Sequence, residues 1–399
     1  MKIFVIAGEL SGDLHGANLV REIKKINSFV QFLGYGGNEM AEAGVDIRFE
    51  LAKIPIMGFT GILKNYFILK QALNRCKEIL RDEKPDAVIL IDYPGFNLRI
   101  AEYAKSLGIT VIYYISPQVW VWGKGRIKKI QKYVDKMLVI FSFEEKLYKD
   151  YNIPVEFVGH PVLDIVKPIM SVNDAYLHFG IKTGEKVLSL FPGSREQEIK
   201  RLLPVMAKAC KMTQRVIPEI NSGQALSDSE GSQNEKLKSN MRFLLALAPS
   251  ISKKQVQDIL IQQGCENLID IVEDKNYDIL NISTLALVAS GTVTLEATCL
   301  NTPMIIVYKT SILTYIIARL LVRIKYIGLP NILAKKEIVT ELLQSNVTAE
   351  RLAEETIKIF NNDKKIAEIK QELAGVKLML GSVGAAQKAA KAVLSMVKL

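Results

Sequence analysis

Hydrophobic residues along this chain come in short, nearly unbroken runs, and between those runs they recur every three or four positions. Residues 3–7, 31–35, 87–91, 110–115, 136–141 and 155–158 are runs of this kind. Apolar runs that do not alternate with polar positions suit strands buried on both faces, as in a parallel sheet. Helical spacing is found near 17–25, 73–80 and 98–107. Strands separated by amphipathic helices predict parallel crossovers and an α/β fold. A second series repeats the scheme, with strands at 187–190, 242–246, 268–271, 285–289 and 304–307. His160-Pro161 and Pro168 interrupt the pattern between the two series and predict the boundary at 159–167. The chain thus divides into 1–165 and 166–364. A tail, 365–399, rich in Ala, Lys, Leu and Val at helical spacing, predicts one or two closing helices. Residues 221–240 have no aromatic side chain and many Ser, Gln, Asn and Gly, which predicts a solvated loop insertion.

Length and composition agree with two domains. At 399 residues, 49% hydrophobic and 24% charged, the chain is too long for one compact core and too apolar for disorder. Cys76, Cys210, Cys265 and Cys299 are scattered without metal-ligand spacing, and there are only three histidines, so no metal site and a reduced, cytoplasmic chain are expected. The start runs from Met1-Lys2 directly into a strand, a pattern from which no export leader is expected. No apolar run is long enough to span a bilayer. The segment 54–69 nevertheless carries one charge, Lys64, among many large apolar groups including Met57, Phe59 and Leu63. A core helix and an exposed lip that meets acyl chains both fit it.

A net charge of +10 predicts an anionic partner. Residues 300–336 contain no carboxylate but six cations, Lys309, Arg319, Arg323, Lys325, Lys335 and Lys336. A second basic run, 124–136, reads as a solvated helix face. Nucleic acid is not expected, because aromatic interleaving and known binding motifs are missing.

Four turns carry candidate chemistry. Phe191-Pro-Gly-Ser-Arg195 ends a strand, and free N–H groups beside a guanidinium attract phosphate. Ser290-Gly-Thr292 follows another strand and opens a helix that holds Glu296 one turn in. This group suits either a diphosphate with a ribose or an ordinary helix start worth ~1 kcal/mol. Ala7-Gly-Glu-Leu-Ser-Gly-Asp13 and Ile91-Asp-Tyr-Pro-Gly-Phe-Asn97 end strands of the first half, where open α/β sheets bind ligands. Asp92 fits a base that deprotonates a hydroxyl, and it equally fits a cap for the turn at Pro94-Gly95. The ordinary pKa of a histidine suits His15 to act as a base, although a lone histidine near a helix start is more often structural.

These motifs, with Tyr114-Ile-Ser-Pro-Gln-Val-Trp-Val-Trp122, Val158-Gly-His-Pro161 and Leu329-Pro-Asn331, resemble the lipid-A-disaccharide synthases in content and order as far as about residue 343. The resemblance implies a GT-B glycosyltransferase, α/β, with two Rossmann-like domains facing an interdomain cleft. The N-terminal domain would hold the acceptor and the C-terminal one the UDP-sugar. It implies transfer from UDP-2,3-diacylglucosamine to 2,3-diacylglucosamine 1-phosphate (lipid X) with inversion, no cofactor, and no metal if cationic and backbone groups stabilise the departing diphosphate. Ser194, Arg195, Ser290, Gly291 and Thr292 would bind the diphosphate, Glu296 the ribose, and Asn331 the donor phosphate or sugar. Asp92 is the leading base and Asp13 its rival. Met57, Phe59 and Leu63 would face acyl chains at the cytoplasmic leaflet, giving a cytoplasmic protein peripherally bound to the inner membrane. The last helices would pack on an N-terminal domain, their own or a partner's, which leaves a homodimer open. Another UDP-sugar enzyme, an epimerase or a transferase with a soluble acceptor, would share the donor turns without needing a greasy lip.

Overall fold

The computed structural model describes residues 1–54, 66–120, 125–221, 241–311 and 325–397. These form two compact units, one of Met1–Asp164 with Met379–Leu399 and the other from residues between Ile165 and Leu378. The first unit is built on a seven-stranded sheet, β1 (Lys2–Ala7), β2 (Gln31–Tyr35), β3 (Asp46–Phe49), β4 (Ala87–Ile91), β5 (Thr110–Tyr114), β6 (Lys136–Val139) and β7 (Val155–Phe157). Its order is β3-β2-β1-β4-β5-β6-β7 and every pairing is parallel. Parallel strands need a crossover between neighbours, and the helices that supply it cover the sheet. That cover is why β4 is buried at all five positions. Phe4, Ile6, Val88, Leu90, Val111 and Tyr113 pack with Ala72, Cys76 and Leu80 of the helix Tyr66–Glu83 in one core.

Among the described residues the second unit is built on a six-stranded sheet, β8 (Lys186–Phe191), β9 (Met241–Leu247), β10 (Ile269–Glu273), β11 (Leu285–Ala289), β12 (Met304–Tyr308) and β13 (Glu341–Leu343). Their order is β10-β9-β8-β11-β12-β13, again all parallel. In each sheet the winding direction reverses beside the first strand, between β1 and β4 and between β8 and β11. A gap opens there at the carboxyl ends of the strands, the usual ligand position in such folds.

β3 and β13 lie at sheet edges and were not expected. β3, Asp-Ile-Arg-Phe, alternates exposed and half-buried residues, and β13 has three residues. Neither makes an apolar run, because an edge strand is covered on fewer sides.

The tail is divided between the units. The helix Asp363–Met379 belongs mostly to the second, while Ala385–Met396 packs on the helix Leu10–Ile26 of the first. Residues 158–164 fasten this last helix. The His160 N–H donates to the Leu380 carbonyl at 2.8 Å. Asp164 accepts from the Gly384 and Ala385 N–H groups at 2.6 and 3.0 Å, satisfying donors that a helix start leaves free. Met57, Phe59, Leu63, Trp122, Arg319, Arg323 and the insertion 222–240 lie outside the described residues.

Candidate active site

In the second unit, β8 and β11 are neighbours, and the turns that leave them line one pocket of about 310 Å3. Phe191, Gly193, Ser194 and Arg195 come from the β8 turn. Ser290, Gly291, Thr292 and Glu296 come from the β11 turn and the helix Val293–Cys299. Six of the seven residues expected to hold a donor are therefore together. Gly193 has φ +119, a left-handed conformation that only glycine adopts without strain, so the turn can present the Ser194 N–H. Burial pushes the Glu296 carboxyl up to about 7.

The seventh, Asn331, is elsewhere. It is fully buried and uses its amide internally. Nδ2 donates to the Val339 carbonyl and to Glu341 Oε1, and Oδ1 accepts from the Ile338 and Val339 N–H groups. With its amide so engaged, Asn331 tethers the helix Leu329–Ala334 to the chain entering β13.

Among the other residues lining the pocket, Glu198, Asn276 and Pro249 were not singled out from the sequence. Glu198 accepts from Arg195 Nη1 at 2.7 Å and from the Ser194 N–H at 3.1 Å. Its position three residues after an arginine, at a helix start, was the available signal. Asn276 opens the helix Asn276–Ile282, with its Oδ1 buried and without a partner. Pro249 belongs to the loop after β9, a region with no sequence feature of its own.

In the first unit, the ends of β1 and β4 adjoin, with Ala7 paired to Ile91. Asp92 and Tyr93 follow β4 with φ of +43 and +47, an unfavourable region for both side chains. Several bonds fix this turn. Asn97 Nδ2 donates to the Ile91 and Asp92 carbonyls at 3.1 and 2.8 Å, and the Tyr113 hydroxyl also donates to the Asp92 carbonyl. The Tyr93 ring lies over Gly8, where a Cβ would be 2.3 Å from it. Burial is the main reason the Asp92 carboxyl is pushed up to about 6. The charge of Glu9 adds to the rise, and a hydrogen bond from the Tyr93 backbone opposes it. Glu9, exposed at the mouth of the β1 turn, had no separate signal in the sequence.

Asp13, the expected rival base, has another occupation. The helix begins at Leu10, earlier than expected, so Asp13 is in its first turn and only 2% exposed. Its Oδ1 accepts from the Gly37 and Met40 N–H groups and its Oδ2 from Glu39, capping the helix Asn38–Glu42. Three backbone bonds thus occupy most of the acceptor positions of this carboxylate. His15 is held neutral, because burial pulls it down to about 4, and its Nδ1 has no partner. An imidazole with so low a pKa is a weak base at neutral pH.

The model of the family described as lipid-A-disaccharide synthetase matches residues 3–230 and 229–395. The lipid-A-disaccharide synthase of Trichlorobacter lovleyi is 37% identical over 397 residues, covering 100% of this chain and 98% of that protein. The one from Coxiella burnetii (strain Dugway 5J108-111) is also 37% identical, over 395 residues, with 99% and 98% covered. Among solved structures, S. aureus MnaA with UDP superposes with TM-score 0.61 at 12% identity, covering 98% of this chain and 96% of that one. WaaG, a glycosyltransferase involved in lipopolysaccharide biosynthesis, gives TM-score 0.52 at 12% identity, covering 98% and 99%. Likenesses this distant in sequence speak for the fold, which is of the GT-B type. Full-length identity to curated relatives says more: the chain belongs to the lipid-A-disaccharide synthase family.

Proposed function

We propose that this chain carries out its family's glycosyl transfer with UDP bound in the second unit and Asp92 of the first unit as general base. In that reaction the 6-hydroxyl oxygen of 2,3-diacylglucosamine 1-phosphate forms a bond to the anomeric carbon of UDP-2,3-diacylglucosamine. The bond from that carbon to the diphosphate breaks, the hydroxyl proton passes to the base, and UDP leaves. Inversion gives the β-1,6-linked disaccharide.

The observation that carries the donor half is the convergence of Ser194, Arg195, Ser290, Gly291, Thr292 and Glu296 on one pocket. Arg195 and the backbone N–H groups of both turns would meet the diphosphate and stabilise the charge that grows on it as the sugar departs. Glu296, ionised, would accept the ribose hydroxyls. For the acceptor half, Asp92 has the better claim because Asp13 is engaged with backbone. A carboxyl titrating near 6 is also better matched to taking a proton at neutral pH than an ordinary aspartate.

Both substrates carry acyl chains, so the enzyme must meet them where they reside. We infer that 54–69, with Met57, Phe59 and Leu63, contacts the cytoplasmic leaflet and that the protein associates peripherally with the inner membrane.

The deciding experiment supplies the full chain with radiolabelled lipid X and the matched UDP donor, and expects disaccharide and UDP. UDP formed without disaccharide, or no reaction, overturns the assignment. Calorimetry gives the pocket a separate test: Arg195→Ala weakens UDP binding by about tenfold or more, on the scale of a lost charge-assisted bond. Unchanged affinity places the diphosphate elsewhere.

A further inference from the structure

Glu198 is on the first turn of the long helix Glu196–Asn221, inside the donor pocket. Its carboxylate joins the two donors that a phosphate would most readily use. Oε1 accepts from Arg195 Nη1 at 2.7 Å and Oε2 from the Ser194 N–H at 3.1 Å. The Gly193 turn closes directly on this carboxylate, since a Cβ at Gly193 would be 2.3 Å from Oε2. An anion supplied by the protein thus occupies part of a site shaped for an anion.

We propose that Glu198 is a built-in competitor for the diphosphate subsite. With no donor bound, it holds Arg195 and the β8 turn in their anion-binding arrangement. The diphosphate displaces it, and it returns to the same two donors as UDP leaves. This rests on the reading above that the pocket takes UDP. The exchange has a physical basis in the balance of charge. Two negative groups sharing one guanidinium and one N–H repel each other, so diphosphate and carboxylate cannot both keep these contacts. The diphosphate brings more charge and more acceptor oxygens than the carboxylate, and it can also use the β11 turn, which lines the same pocket. The result is a site with lower affinity for UDP than its donors alone would give, and faster release of the product.

Glu198→Gln isolates the charge. Glutamine keeps the shape and an acceptor oxygen at the third helical position, where either residue caps a helix start. Calorimetry on the full chain, wild type and variant, uses UDP, inorganic pyrophosphate and uridine as probes. The expected result is three- to tenfold tighter binding of UDP and of pyrophosphate by the variant, the scale of one partly exposed ion pair. Uridine, without phosphate, shows no change, and the inhibition constant for product UDP falls by the same factor as its dissociation constant. Unchanged or weaker UDP binding by the variant overturns the proposal and makes Glu198 a support for Arg195. Equal tightening of uridine also overturns it, because the effect would not belong to the phosphates. A wild-type chain that does not bind UDP overturns the reading of the pocket itself, and this inference with it. Should the Gln variant fail to fold, Glu198→Ala reads the same quantities.

Discussion

A left-handed backbone costs about 1–2 kcal/mol per residue for ordinary side chains, and Asp92 and Tyr93 adopt it in succession. Asn97, Tyr113 and Gly8 hold them there, which fits a carboxylate whose position matters more than local stability. Asp92→Asn should reduce turnover by ~10² or more with little loss of UDP affinity. Because burial raises the pKa of this group, it is protonated and inactive as a base below about pH 6 and ionised above. At saturating donor, kcat/KM for the acceptor therefore falls about tenfold per pH unit below about pH 6. Glu9→Gln removes a charge that raises this pKa, so the falling limb moves to lower pH. A limb that stays in place in both variants assigns the base to another group. Burial lifts Glu296 higher, to about 7, and its proposed role is on the donor side. UDP affinity should weaken as pH falls through that value, since a protonated carboxyl accepts hydroxyls poorly, and Glu296→Gln should remove the dependence. Equal pH dependence in the variant would take Glu296 out of the ribose contact.

Elements decide which of these residues were legible beforehand. The turns after β1, β4, β8 and β11 follow buried apolar runs, so their strands could be placed from the pattern alone, and with them Asp92, Arg195 and Ser290. Asp13 and Asn331 show the limit. Residue type and nearness to a motif do not reveal that three N–H groups from the region before β3 take the aspartate, or that the chain entering β13 takes the asparagine. Both partners belong to stretches leading to short edge strands with no apolar run, so the competing use left no trace in the pattern. Asp164 illustrates the same thing at long range, capping a helix more than two hundred residues away in sequence. Asp164→Ala removes both acceptors and should cost about 1 kcal/mol at that helix start. Hydrogen exchange in the helix Ala385–Met396 would then quicken while the two sheets stay protected. Exchange at the wild-type rate would mean that packing on the helix Leu10–Ile26 suffices without the cap.

For the whole molecule, the sequence sets a problem of access: a net charge of +10 and a greasy segment on a protein whose family handles acylated sugars. Among the described residues no helix is long and apolar enough to cross a membrane. Basic side chains near an anionic leaflet contribute roughly 1 kcal/mol each, falling off with salt, whereas apolar side chains that enter the headgroup layer are insensitive to salt. The two contributions can therefore be separated. Wild-type protein should sediment with vesicles containing a third phosphatidylglycerol, and release only in part at 0.5 M salt. Replacing Met57, Phe59 and Leu63 by serine should leave binding at low salt from the basic groups and abolish what survives high salt. Turnover of acylated substrates presented in those vesicles should fall with it, while calorimetric UDP affinity, which the proposal assigns to the second unit, stays constant. If the triple variant sediments at high salt as the wild type does, 54–69 is not what enters the lipid, and its apolar side chains belong to a core.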